Sequence, residues 1–448
     1  MSQPTWRNWA STVISRPRCI VTPRDDDELA AALAMARSHG WGVRVVGAGH
    51  SFHDIAASDD LLIRLGPGDE SRGSGRPTGF TGITAFDADS GLVTVRAGTP
   101  LHLLNRLLDD LGVAMSNLGD IDRQTIAGAI STGTHGTGAR YPGLAAQVEA
   151  IRLMLADGSQ VTCSAEQDPG LFAAARVSLG ALGVLTDITV RCVPAFVLAA
   201  DERPMSVDRV LSELDQLVAD NDHFEFYWFP HTRRTLTKRN NRLPADASSR
   251  PLSPVRAWLD DEFLSNRVYE LTNRLATVVP RLTPTINAIA SRALTARSYS
   301  DVSHRVFVSP RRVVFREMEY AVPREALRDF LSAIMSWIER SGMYLPFPLE
   351  VRFAAADDIW LSPAYGRATG YVAVHQYHRL PYERYFREVE RIAADFEGRP
   401  HWGKIHWLEA ETLRDRYPRF DDFLRVRERL DPDGMFVNAH IRRLFAPK

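Results

Sequence analysis

The stretch Leu349-Glu350-Val351-Arg352-Phe353 places a carboxylate and a guanidinium two residues apart in an otherwise apolar run. Strand alternation puts Leu349, Val351 and Phe353 on one face and Glu350 with Arg352 on the other. Charged groups inside an apolar strand are costly unless paired or functional. The pair therefore reads either as a proton acceptor with its balancing cation or as a structural ion pair on a solvated sheet face. A second kind of chemistry lies in Val46-Gly47-Ala48-Gly49-His50-Ser51-Phe52. Glycines bare the backbone N–H groups and permit close approach to a ligand, so this turn can nest a phosphate or pyrophosphate. His50 follows at once, and a phosphate cradle alone does not require an imidazole there. A second glycine cluster runs Ser131-Thr132-Gly133-Thr134-His135-Gly136-Thr137-Gly138.

The elements that must position these groups follow from periodicity. Val43 to Val46 ends a buried strand, after a helical run from Asp27 to Ser38 that opens on Asp25–Glu28, the acidic end a helix favours. Strands are expected over Leu61–Leu65, Leu92–Gly98, Val148–Leu155 and Ile188–Val193, and an amphipathic helix over Pro100–Leu111. Gly66 to Gly82 reads as an exposed loop. Thr125 to Ile130, with Gly128 inside it, leads into the second glycine cluster. Ser178 to Leu185, which holds Gly183 and Val184, is a small-residue passage suited to packing against a flat ligand.

The composition shifts after Pro194. Phe224–Phe229 is an aromatic strand, and the polar stretch His231–Arg250 reads as a solvated surface carrying Arg233, Arg234, Lys238, Arg239 and Arg242, with a functional anion site as the lesser alternative. Val255 to Ala296 is helical in pattern, broken at Pro280 and Pro284. It reads as internally packed, with membrane or partner docking as the alternative. Val313–Val322 is a strand and Arg324–Ser341 a helix. Gly370–His378 is a strand with Tyr371, Ala373, His375 and Tyr377 on one face, suited to a sugar-sized pocket or to a hydrogen-bonded core.

At 448 residues, two or three domains are expected. A net charge of −1 argues against a nucleic-acid binder. Three scattered cysteines make neither a zinc site nor a disulfide framework and read as buried thiols. With no leader-like N-terminus and no membrane-length apolar stretch, a cytoplasmic location is expected, with peripheral membrane association possible. The pairs His50/His53, His375/His378 and His401/His406 would suit a metallohydrolase only remotely, because none has a recognised metal spacing.

The two glycine clusters, the Glu-x-Arg pair and His401-Trp402-Gly403-Lys404 together resemble the FAD-linked oxidases of the vanillyl-alcohol oxidase type. The closer resemblance is to the sugar-lactone branch, gulono-1,4-lactone and arabinono-1,4-lactone oxidases or dehydrogenases, over nearly the whole chain. It implies an α+β fold: a two-subdomain FAD-binding domain (PCMH type) over 10–193, a substrate or cap domain with a large antiparallel sheet over 194–400, and a C-terminal segment, 401–448, returning to the first. The family would have Val46–Phe52 wrap the FAD pyrophosphate and bond His50 covalently to the flavin. Gly119, Asp120, Thr125, Gly128, Ser131, Thr132, Gly133, Thr134, His135, Gly183, Val184 and Lys404 would complete the cofactor site.

Carried over in the same way, Glu350, Arg352 and Lys404 are the catalytic residues, and Asp120, Glu350, Arg352, His375 and Tyr377 face the substrate. No metal is expected. The implied reaction oxidises a secondary alcohol of a gulono-, galactono- or arabinono-1,4-lactone, with hydride passing to flavin N5. The electrons would leave to O2, an acceptor protein or a quinone. Alditol oxidation ranks second, since Asp120 and Tyr377 stand where alditol oxidases tend to carry Ser and Thr. Gly119 stands where related dehydrogenases often carry Ala, and the missing methyl would leave a gap admitting oxygen. A non-catalytic flavin binder would not need Glu350, Arg352 and Lys404 together.

Overall fold

In the computed structural model, which describes residues 4–66, 79–309 and 311–446, Cys19–Val21, Leu61–Arg64 and Val43–Val46 form a three-stranded parallel sheet. Helix Asp26–His39 links two of its strands. Asp25 caps it by accepting from the Glu28 N–H, and Gly40 ends it in the left-handed region at φ 64°. A five-stranded antiparallel sheet follows, ordered Gln160–Ser164, Val148–Met154, Val184–Arg191, Leu92–Arg96, Ile83–Asp87. Both sheets share one core with helix Leu101–Asp110, and Trp402, Phe436 and Ile441 from the C-terminal segment enter it.

The second layer is an eight-stranded antiparallel sheet. Its order is Arg297–Val302, Val197–Ser206, Arg234–Arg242, His223–Trp228, Leu349–Ala354, Thr369–Tyr377, Phe315–Pro323, Arg399–Pro400. One face packs on helices Leu327–Ser341 and Glu383–Ala394 through Phe226, Met318, Phe330, Val351, Val374 and Phe386. The other face carries Glu225, Tyr227, Glu317, Glu319, Glu350 and Arg352 toward the first layer. Register aligns them, with Tyr227 opposite Glu350, Glu225 opposite Lys238, and Glu317 opposite His375. Glu350 is only 5% exposed, so the face is not a solvated one.

Several sequence expectations are corrected here. Of the stretch His231–Arg250, the second half is exposed as expected, but the first half is not a solvated surface. Arg234–Arg242 is an interior strand of the large sheet. Arg242 donates to the Ser116 carbonyl (2.8 Å), Arg234 to the Ser291 carbonyl (3.1 Å), and Lys238 faces Glu225 (3.2 Å). Of that basic group Arg233 fits the surface reading best, its side chain 58% exposed beside Asp208. The helical segment after Pro254 is not internally packed, because much of its apolar surface faces outward. Pro280 interrupts it, but Pro284 sits at the start of helix Thr283–Ala293, where a missing N–H costs nothing. Cys163 and Cys192 are buried, their thiols pushed up to about 12 by burial, whereas Cys19 is half-buried. Residues 67–78 of the expected loop lie outside the described residues, and Phe80 and Thr81 at its end are buried.

Candidate functional site

The strand ending at Val46 delivers the glycine turn to the floor of a cleft of about 910 Å³, lined by Val46–Ser51, Gly98, Thr125, Gly128, Thr132 and Gly183. A Cβ on Gly47 would fall well inside contact distance of Thr125 Oγ1, so only glycine allows this approach. Gly49 adopts φ 71°, which favours glycine as well. Thr125 caps helix Ile126–Ser131 by accepting from the Gly128 N–H at 3.1 Å.

Arg44 holds the turn from behind. Its buried guanidinium donates to the carbonyls of Ile55 (2.8 Å), Leu179 (2.7 Å), Gly180 (3.0 Å) and Phe436 (2.6 Å). Burial lowers its pKa to about 10. Asn438 works beside it, its amide donating to the carbonyls of Asp54 and Ala57, both at 2.9 Å.

A second cleft, about 750 Å³, continues from the first and shares His50, Ser51, Gln124 and Thr132 with it. The His50 ring stacks on Trp9 at the junction, with centroids 5.4 Å apart. Beyond it the charged face of the large sheet closes the cavity. Arg352 is the hub there. It pairs with Glu350, donates from Nε to Glu225 (2.9 Å), and lies 3.7 Å from Asp120. Arg311 pairs with Asp120 and reaches to 4.0 Å from Glu350. The Tyr227 hydroxyl, 3.0 Å from Glu350 and 3.2 Å from Glu225, donates to one of them. Three carboxylates thus meet three cations, Arg311, Arg352 and Lys238.

Their environments separate the carboxylates. Burial lifts the Glu350 carboxyl, and Glu225 and Asp120 reinforce that against Arg352 and Arg311. Burial also opposes ionisation of Asp120, but Arg311, Arg352 and Lys238 together hold it well below the usual range. Glu225 is likewise held down against burial, by Arg352 and Lys238. Glu350 is therefore the member of the cluster that takes a proton most readily.

A parallel set lies on the same sheet face, two strands along. Lys404 pairs with Glu317, which also faces His375 Nε2 at 3.4 Å. Despite burial, those partners hold Glu317 at about 2. Glu319 meets His135 Nε2 at 3.2 Å, and the His135 ring stacks on Tyr371 at 3.7 Å. Burial pushes His401 down to about 3.

Of the residues expected from sequence, Phe52, Gly119, Asp120, Thr134, His135, Glu350, Arg352, His375 and Lys404 converge on this second cleft. Ser131 joins the first. Gly133, Val184 and Tyr377 line neither. A side chain on Gly133 would point toward Pro363 and Trp402, and Val184 is a core strand residue. The Tyr377 hydroxyl donates to Glu270 (2.7 Å) instead. Beside Gly119 the protein leaves little gap, because a methyl there would meet Thr134 Cγ2 and the His135 carbonyl at 3.2 Å each.

The histidine pairs of the metallohydrolase reading do not form metal-like groups. Among the described residues such groups combine His53, Asp54 and His440, and His135, Glu319 and His401. Sequence reasoning missed Arg311, Glu225, Tyr227, Lys238, Glu317 and Glu319. Only the acids carried a signal, alternating with apolar residues as Glu350 does.

Comparison with known proteins agrees with this geometry. Residues 17–164 match the FAD binding domain family, and residues 188–444 match the family described as D-arabinono-1,4-lactone oxidase. The chain belongs to the D-arabinono-1,4-lactone oxidase family. It is 40% identical to the L-gulono-1,4-lactone dehydrogenase of Mycobacterium tuberculosis, over 99% of this chain and all of the relative. It is 34% identical to the L-gulonolactone oxidase of Mus musculus, over 98% of each chain. Among solved structures, cholesterol oxidase from Brevibacterium sterolicum shares the fold, with a TM-score of 0.80 at 16% identity over 99% of this chain and 97% of that one.

This member of the lactone oxidase family is an FAD-dependent oxidoreductase acting on CH–OH donors. Its residues fit FAD. The bare glycine turn suits the pyrophosphate, and the first cleft leads past His50 to the charged pocket, as an elongated dinucleotide requires. Gly47→Ala is expected to purify with little flavin, because the new methyl must displace Thr125 or the turn. Overpacking of that kind costs about 1–3 kcal/mol, one to two orders of magnitude in flavin affinity. The ratio of flavin to protein absorbance, with melting temperature as the control for folding, measures it.

Proposed function

We propose that this enzyme oxidises a secondary alcohol of an aldono-1,4-lactone of the gulono-, galactono- or arabinono- class. The observation that carries this reading is the cluster of Glu350, Arg352, Arg311 and Asp120 at the end of the cofactor cleft. FAD, when bound, supplies the two-electron acceptor. Glu350, the carboxylate held highest, takes the hydroxyl proton as the C–H bond breaks. Arg352 and Arg311 offer N–H donors to a lactone carbonyl or ring oxygen and balance the negative charge that develops on the alcohol oxygen as its proton leaves. Asp120 and Glu225 stay ionised and hold the two guanidiniums in place. Lys404, fixed by Glu317, adds a further positive charge to the same cleft. A pocket so rich in donors suits a carbonyl-bearing lactone better than an open polyol. The electrons then pass to O2, an acceptor protein or a quinone.

Anaerobic mixing with L-gulono-, L-galactono- and D-arabinono-1,4-lactone, with xylitol as the polyol control, tests the reading. Bleaching of the flavin by a lactone at least roughly tenfold faster than by xylitol is expected, given what one well-placed hydrogen-bonding group contributes to discrimination. Bleaching by the polyol alone would sink it. Reoxidation in aerated buffer then reports whether O2 is an acceptor.

The place of His50 where the clefts meet supports a covalent link between its ring and the flavin. Acid-denatured wild-type protein is expected to keep its flavin fluorescence on the polypeptide, whereas His50→Ala releases all of it while still binding FAD through the glycine turn. Release from wild type as well would exclude the link.

A further inference from the structure

One acceptor in the charged cleft is unmet. Every contact the Asp120 carboxylate makes with a cation falls on Oδ2: Arg311 donates to it from Nε (2.9 Å) and from Nη2, and Arg352 Nη2 lies 3.7 Å away. Asp120 Oδ1 is buried and has no donor among the described residues. Buried polar atoms are nearly always hydrogen-bonded, and a charged one left alone is expensive. Arg311, Arg352 and Lys238 keep this carboxylate ionised, so Oδ1 can only accept. A lactone carbonyl or ring oxygen cannot satisfy it. A substrate hydroxyl can.

The position of the Asp120–Arg311 pair says which hydroxyl. Glu350, where the alcohol reacts, is buried and hydrogen-bonded to Tyr227. Arg311 is the one exposed residue among those lining the cleft, so it marks the mouth. The backbone on either side holds it there. The Ser309 N–H donates to the Asp120 carbonyl at 3.1 Å, and the Arg312 N–H donates to Asn266 at 2.9 Å. Arg311 meets Asp120, Tyr227 and Glu350 through Nε and Nη2, which leaves Nη1 to donate elsewhere.

A substrate whose reacting alcohol rests at Glu350 projects its far end toward Asp120 and Arg311. In a six-carbon aldono-1,4-lactone that end is a two-carbon tail carrying a vicinal diol, whereas a five-carbon lactone has a single hydroxymethyl group. A diol puts a donor beside an acceptor, the complement of a bare carboxylate oxygen beside a guanidinium N–H. We infer that Asp120 and Arg311 form the subsite for this tail, Asp120 Oδ1 accepting from one hydroxyl and Arg311 Nη1 donating to its neighbour. The inference rests on lactone oxidation as the reaction and sets its selectivity, with gulono- and galactono-lactones preferred over arabinono-lactone.

The concentration dependence of anaerobic flavin reduction gives a dissociation constant for each lactone. L-gulono- and L-galactono-1,4-lactone are compared each with its own 6-deoxy form, and with D-arabinono-1,4-lactone as the shorter analogue. In the wild type, loss of the outer hydroxyl is expected to weaken binding roughly tenfold or more, the contribution of a hydrogen bond to a charged group. In Arg311→Met and in Asp120→Leu that ratio is expected to fall to near one, whatever each variant loses overall. Arg311→Met, altered at an exposed side chain, carries the test if Asp120→Leu fails to fold. Variants that weaken parent and 6-deoxy lactone alike, and so keep the wild-type ratio, overturn the assignment. So does a wild type that binds the 6-deoxy lactones as tightly as their parents, while lactone oxidation itself stands. A flavin-loaded enzyme that no lactone bleaches overturns both.

Discussion

Glu350→Gln is expected to slow anaerobic reduction of the flavin by lactone roughly 10²–10⁴-fold, the usual cost of losing a general base, with flavin content near wild type and a melting temperature lowered modestly, since two carboxylates then face three cations. The amide keeps a hydrogen-bond acceptor for Tyr227, whose hydroxyl sits 3.0 Å away, so the site stays folded while losing its proton acceptor. The pH profile should carry the same signature. The working form is the carboxylate and burial lifts its pKa, so the wild-type rate falls as pH drops through a value above the ordinary glutamate range. Glu225→Gln removes one of the negative charges raising Glu350 and should move that limb to lower pH. Near-normal reduction kinetics in Glu350→Gln, together with a large drop in melting temperature, would instead make the pair a structural one.

Arg352→Met is expected to damage both rate and stability. Its guanidinium faces Glu350, Glu225 and Asp120, and removing it leaves three buried carboxylates facing two cations. Breaking a buried network in this way costs about 3–5 kcal/mol, read as a lowered denaturation midpoint. Adding Glu225→Gln restores the balance at two charges of each sign, so the double variant should recover much of the stability. It should not recover flavin reduction, because the donor to the substrate is still missing. Recovery of the rate alongside stability would show that Arg352 only scaffolds the pocket.

The glycine turn and the Glu-x-Arg strand were legible because each breaks a local rule: a strand end without side chains, and charges in an apolar strand. Lys238 and Arg242 were not. Strand Arg234–Arg242 lies inside the sheet with every residue buried or half-buried, so its polar composition reports hydrogen-bond and ion-pair partners more than exposure to water. Arg311 lies 191 residues from Asp120 in a stretch with no periodic pattern, and only the closed fold pairs them. Apolar spacing in Leu271, Leu275 and Val278 correctly announced a helix. It carried no information on which side would meet the protein, a choice made by Asn287, which donates to the Pro230 and Leu345 carbonyls, and by Asn266, which accepts from the Arg312 N–H. Tyr377 shares a strand with His375, yet its hydroxyl ends on Glu270, outside the cleft.

The brace behind the glycine turn also bears on how the protein is born. Arg44 needs the carbonyl of Phe436, 392 positions later, and Asn438 ties down Asp54 and Ala57. On the ribosome, N-terminal units fold first, but these two anchors emerge only after the strands and helices of both layers. The nascent chain can form its first sheets while the turn meant for the pyrophosphate still lacks its backing. Flavin capture is then an event of the finished polypeptide. A frameshift near codon 430 would spare nearly every residue named in the active site and still yield a colourless protein.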